Sequence, residues 1–182
     1  RDRSVSRGLG DVYKRQLLIL ATQLKLKIMT NRTFTIIKPN AVGQQHTGEI
    51  LTIIEKAGFR ILALKMVCLS RSDVEKFYHI HKERPFFRTL SLFMTAGPIV
   101  VAVLEKENAV ADFRALIGAT DPVKAAEHTI RKYFAESKTR NAIHASDSDE
   151  NAAWEASFFF SDKEIIETRY QLPIPAEEID KD

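Results

Sequence analysis

Ile99-Val100-Val101-Ala102-Val103-Leu104 is an unbroken apolar run entered through the chain break Gly97-Pro98. Six residues, mostly β-branched, are short for a helix and suit a buried strand. Working outward, Thr33-Phe34-Thr35-Ile36-Ile37 is a second β-branched and aromatic run, ended by Pro39. Phe59 to Leu69 reads as a third strand, with Ile61, Ala63, Lys65, Val67 and Leu69 on one side of the pleat. Arg140 to Ala145 is a short strand or extended loop. Between these runs the apolar spacing turns helical. Gly48 to Ala57 places Ile50, Leu51, Ile53 and Ile54 on one face, stopped by Gly58. A helix runs from Ser70 to about His81, with Ser72 and Glu75 as a capping box. Phe86 to Thr95 forms a short helix opened by Pro85, and Asn108 to Ile117 carries Val110, Phe113, Leu116 and Ile117 on one face. Asp121-Pro122 starts a helix that includes Ala125 and Ala126. Ser146-Asp147-Ser148-Asp149-Glu150 starts the last one, to about Phe158, because acidic residues there suit the free N–H groups and the dipole. The order predicts an α/β (α+β) domain of the βαββαβ type, a four-stranded antiparallel sheet with helices on one face.

The totals bound the function classes. With 182 residues the chain makes one domain plus extensions. One cysteine, Cys68, excludes an internal disulfide framework and a Cys-based zinc cluster, and its apolar neighbours predict burial. No apolar run approaches the roughly 20 residues of a membrane span, so no membrane partner is expected and the cytoplasm is the default location. The net charge of +3 arises in residues 1–28, which hold seven of the 27 basic residues and two of the 24 acidic ones. The other 154 residues carry 20 basic and 22 acidic side chains, so global charge gives no nucleic-acid footprint. Residues 1–28 are read as a non-native or disordered leader: Val5 to Gln16 resembles translated adapter sequence, and Met29 is the natural start. The domain is then 29–160. Residues 161–182 form an extended C-terminal tail that contains Pro173 and Pro175.

His144 stands between the apolar Ala142-Ile143 and the helix start at Ser146. Neutral imidazole is a nitrogen nucleophile and a proton shuttle, while the plain alternative is a structural histidine. The chain lacks Gly-x-x-x-x-Gly-Lys-[Ser/Thr], Gly-x-Gly-x-x-Gly and a His-Arg-Asp loop. His79-Ile80-His81 has the wrong spacing for two metal ligands on one helical face. What remains is a set of cations at element ends: Lys38, Arg114, Arg131 and Arg140, each of which alone reads as solvated charge.

Five blocks, in order and spacing, carry a resemblance. Arg32 to Pro39 resembles the first strand and phosphate lysine of the nucleoside diphosphate kinase family. Arg84-Pro85-Phe86-Phe87 resembles its base-stacking segment. Gly118-Ala119-Thr120-Asp121-Pro122 and Thr129-Ile130-Arg131 resemble its nucleotide loops. Asn141 to Ser148 resembles its active-site signature, normally Asn-x-x-His-Gly-Ser-Asp. The likeness covers about Thr30 to Phe160 and implies a ferredoxin-like fold. It implies His144 as phosphate acceptor, with Glu155 orienting the imidazole and Ser146 supporting it. Lys38, Tyr78, Arg114, Thr120, Arg131 and Asn141 match phosphate and ribose contacts, and Phe86 the aromatic that stacks on the base.

The implied reaction is ping-pong transfer of a γ-phosphoryl group from ATP or another nucleoside triphosphate to a nucleoside diphosphate, through phosphohistidine. Cations around the spreading oxygen charge suit that step. Mg²⁺ is expected as cofactor, held mainly by the nucleotide phosphates, with no direct metal ligand in the chain. Stacking reads no base edge, so broad base tolerance follows. Relatives of this kind are homo-oligomers, tetramers or hexamers.

The chain departs from the pattern at Asn40 (usually Asp), His128 (usually Gly), Lys138-Thr139 (usually an apolar residue and Gly) and Ala145 (usually Gly). If position 145 needs a positive φ, its methyl costs about 1 kcal/mol or more. Two further readings stand beside the enzyme. One is a catalytically weakened family member acting as an oligomeric nucleotide-binding module, marked by Ala145. The other is a sheet-based nucleic-acid binder, which needs exposed strand aromatics and a basic face.

Overall fold

β3 (Ile99–Glu105) lies inside the sheet, buried from Ile99 to Leu104, between β2 (Arg60–Val67) and β1 (Arg32–Ile37). The computed structural model describes residues 14–18 and 31–167. Residues 14–18 form an exposed helical segment. The rest of the leader, Ile28–Met29 included, and the tail beyond 167 lie outside the described residues. β4 (Ile143–Ala145) joins the free edge of β1, so the order is β2-β3-β1-β4 and every pairing is antiparallel.

Helices cover both faces, where one covered face was expected. The central strands alternate apolar side chains to both sides, and each side must be removed from water. Phe34, Ile36, Val101 and Val103 pack on one side. Their cover is α3 (Arg71–Phe77), α4 (Phe87–Met94) and α7 (Asp149–Phe159), through Val74, Phe77, Met94 and Ala156. Ile37, Val100, Ala102 and Leu104 pack on the other side. There the cover is α2 (Thr47–Lys56) and α5 (Ala109–Ile117), through Ile50, Ile54, Phe113 and Ile117. Burying one such side chain is worth about 1.5–3 kcal/mol. Among the described residues no helix is long and apolar enough to cross a membrane.

The local readings hold at most elements and fail at several. A short α1 (Pro39–Gly43) follows β1 directly, because Pro39 at its start needs no N–H partner. Strand β2 contains a register shift: Ile61 faces Leu104, but Ala63 faces Val103, with Leu62 extra. This bulge reverses the pleat, so Ile61 and Ala63 serve opposite faces rather than one. Leu64 and Met66 are left exposed, and so is Cys68, whose burial was expected from its neighbours; it lies past the end of an edge strand. The capping box of α3 is Ser70 with Asp73, not Ser72 with Glu75. Ser70 Oγ accepts the Asp73 N–H at 3.2 Å and the Ser70 N–H donates to Asp73 Oδ2 at 2.9 Å. That helix ends at Phe77, and His79–His81 is a separate 3₁₀ turn.

The expected helix at Asp121-Pro122 is absent. Asp121 Oδ1 accepts the Val123 N–H at 3.1 Å, and the bonds Lys124 N–H to Asp121 O and Ala125 N–H to Pro122 O close isolated turns. The helix of this region is α6 (Ile130–Phe134). The last helix starts at Asp149, with Ser148 Oγ accepting the Asn151 N–H at 3.1 Å. Of the tail, residues 162–164 form a 3₁₀ turn, and the Ile166 N–H donates to Leu62 O at 2.9 Å.

Candidate active site

β4 is held by long-range bonds. The Thr35 hydroxyl donates to His144 O at 2.7 Å, and the Ser146 N–H donates to Phe34 O at 3.3 Å. In register His144 faces Ile36, which turns its ring toward Phe34, Phe77 and Tyr78, with centroids 5.9–6.4 Å away. Behind the ring stands Glu155, one turn and a half into α7 and 8% exposed. His144 Nε2 lies 2.8 Å from Glu155 Oε1, and the Ser146 hydroxyl donates to Glu155 Oε2 at 2.5 Å. An ionised carboxylate only accepts, so Nε2 carries the proton and Nδ1 keeps the lone pair. No described residue bonds Nδ1. The sequence had suggested a carboxylate partner without saying which nitrogen it takes.

The ring borders a cavity of about 630 Å³ that also takes in Lys38, Tyr78, Phe86, Arg114, Thr120, Arg131 and Asn141. Eight of the ten expected site residues therefore line one space, and Glu155 and Ser146 stand behind His144. They are placed by several elements. Lys38 follows β1, is 6% exposed, and donates from Nζ to Asn141 Oδ1 at 2.7 Å. Burial, with Arg131 nearby, pulls its ammonium from the ordinary lysine range down to about 7. Arg131, on α6, donates to Gly118 O at 2.9 Å and to Ile143 O at 3.0 Å. Burial and then Arg114 lower it to about 10. Arg114, in the last turn of α5, makes no ion pair among the described residues. Tyr78 is buried, its hydroxyl has no partner among the described residues, and burial together with Glu155 pushes its phenol upward, so it stays a donor. Phe86 is 50% exposed, an open aromatic face.

Gly118 is fixed by space. Its φ is +80°, and an added Cβ would lie 2.4 Å from Thr129 Oγ1. Ala145, by contrast, is an extended residue of β4 opposite Thr35, so the strain expected there is absent. The left-handed residue is Ala142, φ 67°, in a tight turn closed by the Ile143 N–H to Asn141 O at 2.8 Å. The Lys38 N–H donates to Ala142 O at 2.8 Å and holds the turn against a cost of about 1 kcal/mol. His128 is also left-handed, φ 67°, with Nδ1 2.7 Å from the Tyr133 hydroxyl. Asn40 sits in a polar network, its amide donating to Arg140 O at 3.3 Å.

The sequence reading missed His81, Leu90 and Ile117 in the lining, and it named Lys138 and Thr139 only as departures from the family's nucleotide loop. The helical periodicities that put Leu90 and Ile117 on inward faces were the available signal. Among the described residues no cluster of three or more acidic, histidine or cysteine side chains could hold a metal. The lining contains four Lys or Arg side chains and no carboxylate, which suits a polyanion and any cation that arrives bound to it.

The comparisons with known proteins agree with this fold. Residues 31–165 match the family model described as nucleoside diphosphate kinase. The nucleoside diphosphate kinase of Flavobacterium psychrophilum is 56% identical over 135 residues, 74% of this chain and 97% of that protein. The one from Chlamydia muridarum is 58% identical over 135 residues, 74% and 96% of the two chains. Among solved structures, the Aquifex aeolicus nucleoside diphosphate kinase aligns with TM-score 0.73 and 45% identity, covering 75% of this chain and 99% of its own. The Halobacterium salinarum enzyme, solved with CDP, aligns with TM-score 0.74 and 32% identity, covering 78% and 95%. With a family model that matches residues 31–165, solved relatives of the same fold and relatives above half identity along nearly their whole length, this chain belongs to the nucleoside diphosphate kinase family.

Proposed function

We propose that the protein moves the γ-phosphoryl group of a nucleoside triphosphate to a nucleoside diphosphate through phosphorylated His144. The observation that carries this reading is the Nε2 bond to Glu155, which leaves Nδ1 as the nucleophile on a cationic cavity. Nδ1 attacks the γ-phosphorus in line, and the bond to the β-phosphate oxygen breaks with its electron pair leaving on the diphosphate. The Nε2 proton stays on the ring, held by Glu155, whose charge offsets the positive charge that develops on the imidazole. Lys38, Arg114 and Arg131 spread the phosphate charge, and the Tyr78 hydroxyl is a donor free for it. Asn141 and Thr120 supply polar contacts to ribose or phosphate, and Phe86 offers its face to the base. The second half reverses the first: a β-phosphate oxygen of the incoming diphosphate takes the group from Nδ1.

A Mg²⁺ ion held by the nucleotide's own phosphates would add charge neutralisation there, in keeping with a lining free of carboxylates. The CDP in the Halobacterium relative supports a nucleotide in this cavity. A cytoplasmic location goes with these substrates. Self-association into a tetramer or hexamer is supported by the exposed Leu64 and Met66 on edge strand β2. Incubation with γ-labelled ATP is the test. Acid-labile, base-stable label is expected on His144 and lost in His144→Ala; an unlabelled native protein would end this reading.

A further inference from the structure

The cavity has two kinds of cation. Lys38, Arg131 and Arg114 act on one another electrostatically and stand with Asn141 and β4 around His144. Lys138 stands apart. Its ammonium lies 3.3 Å from Asp121 Oδ2, next to Thr120, and its side chain is 73% exposed. Its backbone is fixed, since Asn141 Nδ2 donates to Lys138 O at 2.8 Å. The loop that carries Asn141 thus holds Lys138 at the rim of the cavity that also contains Phe86. A base laid on Phe86 gains stacking whatever its identity. A lysine at that rim adds three donors and no acceptor.

We infer that Lys138 biases this site toward bases that present a carbonyl edge, guanine first and uracil or thymine after it, over adenine and cytosine. The guanine O6 and N7 pair offers a lysine two adjacent acceptors, whereas the adenine edge offers N7 alone, beside an amino donor that repels the ammonium. Asp121 competes for the same ammonium and moderates the bias. The inference rests on the nucleotide reading above and deepens it by naming what selects the base.

Calorimetric dissociation constants for GDP and ADP test it without requiring turnover. The native protein is expected to favour GDP by about fivefold, a reduced share of what a buried lysine–guanine contact gives, because the group is exposed. Lys138→Met brings the ratio to within about twofold of one, Asp121→Asn raises it, and the exposed control Lys56→Met leaves it unchanged. Equal binding of GDP and ADP by the native protein, or a ratio that Lys138→Met does not move, overturns the inference. Failure to bind either nucleotide would instead overturn the proposed function.

Discussion

Nucleotide binding should pull a proton onto Lys38. The free protein holds this ammonium at about 7, through burial and then the Arg131 charge. Phosphate oxygens in the cavity oppose both effects, by adding counter-charge to a group that makes no ion pair among the described residues. At pH 8 a group with that value is about 10% protonated when free and close to fully protonated when bound, so about 0.9 proton is taken up. At pH 7 the uptake falls to about 0.5 and at pH 6 to about 0.1. The sign follows: affinity is fully present below about 7 and drops about tenfold per pH unit above it, until the bound group itself titrates. ADP titrated calorimetrically at pH 8, in two buffers of different ionisation enthalpy, counts the protons. Lys38→Met isolates the contribution, because every other titrating group remains. An uptake in the native protein equal to that of Lys38→Met would refute the reasoning. A linked effect acts on the free protein. The unfolded chain keeps the Lys38 proton to about 10.4 while the folded one loses it near 7, so this group makes stability rise with pH across that window.

Glu155→Gln keeps the shape behind His144 but removes the charge that holds Nε2–H, so kcat should fall about 10- to 100-fold with little change in KM, measured by coupled assay. Gly118→Ala should lower stability by about 2–3 kcal/mol in urea unfolding, because its Cβ meets the Thr129 side chain and its φ is positive. Ala145→Gly should destabilise by about 1 kcal/mol in the same assay rather than relieve strain, since Ala145 is extended and 7% exposed. Phe113→Ala should cost about 3–5 kcal/mol, as its ring is fully buried between sheet and helix against Phe59.

Much of the fold was legible because its signals are local. The run at Ile99 to Leu104 can only be buried, and Ser146 to Glu150 can only start a helix, whatever surrounds them. The site was legible as a set of residue types at the ends of elements, with His144 as its centre once the family resemblance supplied their roles. No local signal could give the rest. Leu62 is a bulge only because Val103 and Leu104 pair around it, and that bulge decides which side chains of β2 reach the core. The Asp121 segment has a helix's start signal, but its own carboxylate closes the turn after two residues. The sign of φ at Ala142 and its absence at Ala145 depend on the Lys38 N–H and on Thr35, each about a hundred residues earlier in the chain. The proposal of Nδ1 as nucleophile depends on Glu155 arriving from another element to take Nε2. By itself the sequence determined which residues could do the chemistry. Only the tertiary structure decided which ring nitrogen of His144 is left free for it, because a lone pair is assigned by the partner across space and not by the neighbours in the chain.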